Sequence, residues 1–115
     1  MESHIKKIEK KHICVNGIKL TCHCAGEGND IIVLLHGAGV DSAMLSWAEV
    51  IPLLSSRYQV IAPDLPGYGE SDRIDGEYTL LFYTDIVKGI IEAVGGNPVI
   101  LTGLSLGGGI CLNMA

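Results

Sequence analysis

The 115-residue sequence predicts an α/β fold, a parallel-rich sheet with helices flanking it. Two observations carry this. Short apolar runs of strand character alternate with stretches of helical period, and strands separated by helices of this length imply right-handed crossovers between parallel neighbours. A hairpin signal precedes them.

Residues 5–15 and 18–25 read as two strands, and Asn16-Gly17 between them is a strong hairpin-turn signal. "GEGND" is a second turn. "IIVLLHG" (31–37) is short, β-branched at its start and closed by glycine, which suits a strand buried on both faces. Residues 43–56 carry Leu45, Val50, Ile51, Leu53 and Leu54, a helical tendency with a kink or break expected at Pro52. "YQVIAP" (58–63) is the next strand, and "DLPGYGESD" (64–72) is dense in turn residues. From 79 to 94, Tyr83, Val87, Ile90, Ile91 and Val94 fall on one helical face and Asp85, Lys88 and Glu92 on the other. Gly95-Gly96 should stop that helix. "PVILTG" (98–103) reads as another buried strand, and a helix should start at Leu106. The carboxyl ends of the parallel strands, where such sheets collect their sites, then hold three segments: 36–39, 64–72 and 103–108.

Composition narrows the function classes. Hydrophobic residues make up 48% of the chain, which excludes a disordered one. Charged residues are 18%, below the ~25% usual in soluble domains. A domain this small needs more polar surface, so the sequence suits a piece of a larger globule. A net charge of −5 argues against nucleic acid and against an anionic membrane as partner. The cluster Lys6, Lys7, Lys10 and Lys11 reads as a solvated strand face or terminus. No apolar run approaches the ~18 residues of a membrane span, and "MESHIKKIEKKH" lacks an apolar leader core, so a cytoplasmic location is expected. Cys22-His23-Cys24 has no second ligand pair at zinc spacing. On a strand its two thiols share one face and His23 takes the other, so no metal is expected.

The chemistry lies in "TGLSLGGG". Gly103-Leu104-Ser105-Leu106-Gly107 is a G-x-S-x-G run between a strand and a helix, the setting of a sharp elbow that exposes a serine Oγ. Gly103 and Gly107 must be small because strand and helix backbones approach closely there. The helix beginning at Leu106 points free N–H groups and its positive dipole end toward the serine. Dinucleotide and phosphate-loop readings fail, because the glycine offsets are wrong and no lysine follows.

Together "LLHGAG", "VIAPDLPGYGESD" and "GLSLGG", in this order and spacing, resemble the α/β-hydrolase superfamily over essentially the whole chain. The resemblance implies a sheet order beginning 1-2-4-3-5-6, with the first five strands and the start of the helix after the elbow present here. It implies Ser105 as nucleophile and the backbone N–H groups of Ala38 and Leu106 as oxyanion hole. His36 and Gly37 would support the oxyanion loop, and Asp64, Gly67, Gly69, Ser71 and Asp72 would form a structural turn beside the pocket. Trp47 would be core or pocket wall. Members with Asp at the elbow, such as dehalogenases and epoxide hydrolases, work through an alkyl-enzyme ester. Ser105 points instead to acyl transfer to water from an ester, thioester, amide or carbon–carbon bond.

The family order is Ser, then Asp or Glu, then His. No His, Asp or Glu follows Ser105 in this chain. Residues 1–115 are therefore expected to form one partial hydrolase domain, truncated after the elbow and inactive alone, with a second chain as one possible source of the rest. A non-catalytic small-ligand binder or receptor on the same fold is the alternative. Leu104, Leu106, Val40 and Met44 suggest a partly apolar small-molecule substrate. The chemistry requires no cofactor.

Overall fold

A computed structural model describes residues 7–95 and 98–115. The first two positions of the expected opening strand, and Gly96, lie outside them. The elements run β1 (Glu9–Val15), β2 (Ile18–Ala25), β3 (Ile31–Leu35), α1 (Ala43–Trp47), α2 (Ile51–Leu54), β4 (Gln59–Pro63), α3 (Leu80–Ala93), β5 (Val99–Gly103) and α4 (Leu106–Met114).

The sheet has five strands in the order β1-β2-β4-β3-β5. β1 and β2 form an antiparallel hairpin in which Val15 pairs with Ile18. Its turn places Asn16 at φ 52° and Gly17 at φ 79°, the left-handed values a two-residue turn of this twist requires. β2 meets β4 antiparallel, while β3 runs parallel to both β4 and β5.

Handedness then decides where the helices go. β4 lies on one side of β3 and β5 on the other, so right-handed crossovers must place their helices on opposite faces of the sheet. The alternating side chains of β3 record this. Ile32 and Leu34 pack with Ala43, Trp47 and Ile51 of α1 and α2, whereas Ile31, Val33 and Leu35 pack with Tyr83 and Val87 of α3 and Ile110 of α4. All five residues of β3 are buried.

Three elements differ from the sequence-based expectation. Residues 43–56 form two short helices, and the break falls at 48–50, before Pro52. Pro52 sits in the first turn of α2, where its missing N–H removes no helical hydrogen bond. The buried face of α3 includes Thr84 and Ile86, while Ile91 and Val94 are half-buried. Ile86 joins Ile90 against Val15 and Leu20, because α3 also covers the hairpin. Gly89 makes that close approach possible: a Cβ there would come 2.3 Å from Val15 Cγ1.

The third is β5: the five-strand order predicts an open edge there, although its apolar run taken alone reads as buried. None of its residues is, and Ile100 is 46% exposed. The reason is its place in the sheet. Among the described residues β5 has β3 as its single neighbour, and its outer backbone edge is unpaired. No helix among the described residues is long and apolar enough to cross a membrane.

An apolar, uncharged sheet edge is a template for pairing with another chain. Residues 1–115 expressed alone are therefore expected to aggregate, and Ile100→Lys should raise their soluble monomeric fraction. Size-exclusion chromatography of the two chains at equal concentration checks this; equal aggregation would contradict the edge as its origin.

Candidate active site at the carboxyl ends of the strands

The C-terminal ends of β3 and β5 lie side by side, with Leu35 in register with Gly103. Just beyond them the backbones crowd. A Cβ on Gly103 would sit 2.2 Å from the carbonyl carbon of Gly107, and one on Gly107 would sit 2.5 Å from the Leu35 oxygen. Only glycine fits either place without backbone movement. The Leu104 N–H donates to the Leu35 carbonyl at 3.1 Å, tying the start of the elbow to β3.

Ser105 follows at φ 53°, ψ −112°. A non-glycine residue in this left-handed region is strained, and the crowding on both sides holds it there. Ser105 is exposed, and among the described residues its Oγ has no hydrogen-bond partner. α4 starts at the next residue. The Gly107 N–H turns back to the Leu104 carbonyl at 2.8 Å.

The loop after β3 passes close by: a Cβ on Gly37 would lie 3.3 Å from Ser105 Cβ. Its conformation is held from below and from the side. His36, fully buried, donates from Nδ1 to the Gly37 carbonyl at 2.7 Å and accepts the Leu65 N–H on Nε2 at 3.0 Å. Both ring nitrogens are thus committed to backbone. The Tyr68 ring packs edge-on against it at 4.9 Å.

The lateral support is Asp41, which the motifs did not single out. Its carboxylate accepts the Gly37 N–H at 2.8 Å, the Ser42 N–H at 2.7 Å and the Ser46 hydroxyl at 2.9 and 2.8 Å. Burial pushes its pKa upward, but hydrogen bonds from Ser46, Ser42 and Gly37 outweigh that and hold it below the ordinary carboxylate range. The sequence offered one faint signal, an Asp-Ser pair just before a helical stretch.

Asp64 anchors the neighbouring turn. Its buried carboxylate accepts the Ala43 N–H at 2.9 Å and the Glu70 N–H at 3.1 Å, and meets His23 Nε2 at 3.3 Å. Gly69 lies so close that a Cβ there would be 2.3 Å from the Asp64 carboxyl carbon. Ser71 Oγ donates to the Asp64 carbonyl at 2.6 Å and accepts the Thr21 N–H at 2.9 Å. Gly67, at φ 87°, donates its N–H to the Asp72 carbonyl at 2.9 Å.

Ala38 and Leu106 line one cleft of about 360 Å³. Among the described residues neither of their N–H groups has a protein acceptor. The rest of the wall is Gly67, Arg73 and three tyrosines, Tyr68, Tyr78 and Tyr83. Tyr83 donates its hydroxyl to the Pro66 carbonyl at 3.0 Å; burial first, then Tyr68 and Tyr78, raises its pKa. Of the apolar residues expected near the serine, Leu106 reaches the cleft. Val40 points into solvent at 98% exposure, and Met44 packs beneath the opposite face of the sheet. Trp47 is core on that same face.

The two other described histidines, His12 and His23, are bonded within the hairpin and the turn after β4. His12 Nδ1 bonds Thr21 Oγ1 at 3.2 Å, and His23 is held by Asp64. A larger cavity of about 410 Å³ lies elsewhere, over β1, β2 and β4, with Cys22 and Cys24 in its wall. Burial, then Cys24 and Asp64, pushes the Cys22 thiol up to about 12, so it stays protonated and is a poor nucleophile. Among the described residues no group of three His, Cys, Asp or Glu side chains could hold a metal ion.

A mixed sheet of this order, with a strained strand-turn-helix elbow at its carboxyl end, is the framework of the α/β-hydrolase fold. The sequence matches the alpha/beta hydrolase fold family over residues 30–115, and the chain belongs to that family. It is 35% identical over 107 residues to the 2-hydroxymuconate semialdehyde hydrolase of a Pseudomonas species, covering 91% of this chain and 38% of that protein. It is 36% identical over 105 residues to the 2-hydroxy-6-oxo-2,4-heptadienoate hydrolase of Pseudomonas putida, covering 90% and 38%. Among solved structures it is similar to a serine hydrolase involved in carbazole degradation, with a TM-score of 0.89 and 29% identity, covering 94% of this chain and 42% of that one. An epoxide hydrolase from Vigna radiata gives 0.85 and 32%, covering 93% and 35%. The chain thus spans roughly a third of the length of the curated relatives it matches, 38% of each of the two Pseudomonas hydrolases.

Replacing Asp41 by Asn should cost about 1–3 kcal/mol of stability at neutral pH, because the acceptor of several charge-assisted hydrogen bonds is lost. A carboxylate whose folded pKa lies below its unfolded value, ~3.9 for Asp, contributes stability that is present above the unfolded value and lost as pH falls through the folded one. The gap between wild type and D41N, measured by urea unfolding, should therefore be full above about pH 5 and close on acidification below about pH 4.

Proposed function

We propose that this chain carries the nucleophile half of a serine hydrolase, with Ser105 as the nucleophile and the Ala38 and Leu106 N–H groups as its oxyanion hole. The observation that carries the reading is the strained φ of Ser105 at the start of α4, next to Leu106, which lines a cleft together with Ala38; among the described residues the N–H groups of both have no acceptor. Ser105 Oγ attacks an acyl carbon and its proton passes to a base. The leaving group takes a proton as it departs, and water then hydrolyses the serine ester. The developing oxyanion is stabilised by N–H groups already fixed in place, so no reorganisation is needed as charge builds.

His36, Gly37, Gly103, Gly107, Asp64 and Gly67 act structurally in this reading. They hold the oxyanion loop, the elbow and the turn beside the pocket. His36 cannot serve as base while both its ring nitrogens are bonded to backbone. The acid and the histidine come from residues beyond these 115, supplied by a continuation of the same chain or by a second chain, and residues 1–115 alone are inactive. A serine at the elbow favours acyl substrates over epoxides. The two Pseudomonas relatives, named as hydrolases of a semialdehyde and a heptadienoate, favour carbon–carbon bond hydrolysis within that class.

Reading the gene past the codon for Ala115 is the first test, and an Asp or Glu followed by a His in frame is expected. The protein from the complete reading frame should then be labelled rapidly and stoichiometrically at Ser105 by a fluorophosphonate. Ser105→Ala should abolish labelling and lower ester turnover by roughly 10³-fold or more. Tight ligand binding without labelling would favour the receptor reading instead.

A further inference from the structure

The cavity of about 410 Å³ takes no part in the hydrolase reading. Its described lining includes no residue of the elbow, of the loop after β3 or of the turn after β4. Ala25, which ends β2, and Gln59, which opens β4, mark its place in the sheet. Ile13, Ile61 and Val94 make its wall apolar on the side of α3. Two thiols face this space. Cys22 and Cys24 stand two residues apart on β2, so both leave the same face of the sheet. Cys22 is 1% exposed, Cys24 is half-buried, and neither is in a disulfide.

What such a pair can hold follows from its geometry. Two strand rises put the Cα atoms roughly 6.6 Å apart, close to the ~6.8 Å limit of a disulfide. An ion between the sulfurs spans the gap with less strain. Two bonds of roughly 2.3 Å, the length of a zinc–thiolate bond, would hold the sulfurs about 4.6 Å apart. Thiolate ligands select zinc, iron–sulfur clusters and copper(I). Zinc in structural sites and the clusters take four protein ligands. Among the described residues no group of three His, Cys, Asp or Glu side chains is available, whereas copper(I) is satisfied by two sulfurs in a line. Two thiolates on copper(I) carry one net negative charge. Across the hairpin Lys11 pairs in register with Cys22, and Glu9 with Cys24. Burial raises the Cys24 pKa; Lys11 then pulls it down, and does so more strongly than Glu9 pushes it up. A favourable countercharge therefore stands in the cavity wall.

We propose that Cys22 and Cys24 form a two-coordinate copper(I) site in this cavity, with Lys11 as its countercharge. The site is independent of Ser105 and of the hydrolase reading. The ion enters at the half-buried Cys24 and is sealed against water by the buried Cys22. Two S–H bonds break and two Cu–S bonds form. Copper stays in the +1 state throughout, and two protons pass to solvent. A protonated Cys22 is a poor nucleophile toward electrophiles, but a coordinating thiol is deprotonated outright by the metal. The same burial that silences the thiol toward other chemistry thus leaves it available to this ion.

The test uses the protein expressed from its complete reading frame, reduced and kept free of oxygen. Copper(I) is supplied as its coloured bicinchoninate complex, and loss of colour reports transfer to the protein. Wild type should take up one equivalent more than Cys24→Ser or Cys22→Ala. X-ray absorption of the loaded protein should show two sulfur neighbours around that copper. Each of these variants should lose affinity by more than the roughly 10–100-fold that removal of a supporting residue costs at a metal site. Cys14→Ser, at an exposed position, should keep wild-type uptake. Lys11→Gln should weaken binding by roughly two- to fivefold, the range of an exposed charge pair. Should Cys22→Ala fail to fold, Cys24→Ser decides alone, because its side chain is half-buried. Wild type that removes no copper from bicinchoninate, a folded variant that keeps wild-type uptake, or a third sulfur on the ion overturns the proposal.

Discussion

The fold turns on a contact between backbones. β3, β5 and the first turn of α4 approach closely enough that a single methyl group at Gly103 or Gly107 would overlap a main chain. This contact forces the chain from strand into helix within two residues and leaves the second of them, Ser105, at positive φ. The strain cannot relax, because relief would require β5 to separate from β3 or α4 to lift from the sheet. Leu35 and Ile110, both fully buried, resist those movements. The strained geometry of Ser105 is therefore a by-product of packing, stored locally and supported by the core.

Two carboxylates extend that order to the loops. Asp64 joins the end of β4 to the start of α1, to β2 and to the following turn. Asp41 does the same for the loop after β3. The turn after β4 has a second task. β4 pairs only with the C-terminal half of β2, so the earlier residues of β2 would have unpaired backbone groups on that side. Lys19 and Thr21 instead meet Asp72, Ser71 and Glu70. A loop thus acts as the missing stretch of strand, which explains why it is rich in short polar side chains.

Much of this was legible in the sequence because the signals were local. The Asn16-Gly17 turn, the apolar run of β3 and the elbow glycines each report on a few neighbouring residues. What escaped depends on distant partners. The exposure of β5 is not written in its own residues, since Val99, Ile100 and Leu101 look alike in a central strand and at an edge; it followed from the expected strand order, which ends at this strand. Pro52 was read as a breaker because helix interior and first turn differ only by where the helix begins. Asp41 is anonymous without the fold that brings Gly37 and Ser46 to it. The tyrosines and Arg73 reach the cleft from a loop and a helix, and no spacing rule links them to Ser105.

The parallel pairing of β3 has a consequence during synthesis. Ile31 pairs with Gln59 on one side and with Val99 on the other, so the central strand emerges from the ribosome long before its second neighbour. At translation rates of about 5–20 residues per second, its far edge stays open for several seconds. The hairpin of β1 and β2 can form meanwhile, but it cannot cover that edge. The most apolar of the described strands is thus the one that waits longest for its second neighbour, and that edge stays open to pairing with another chain until β5 arrives.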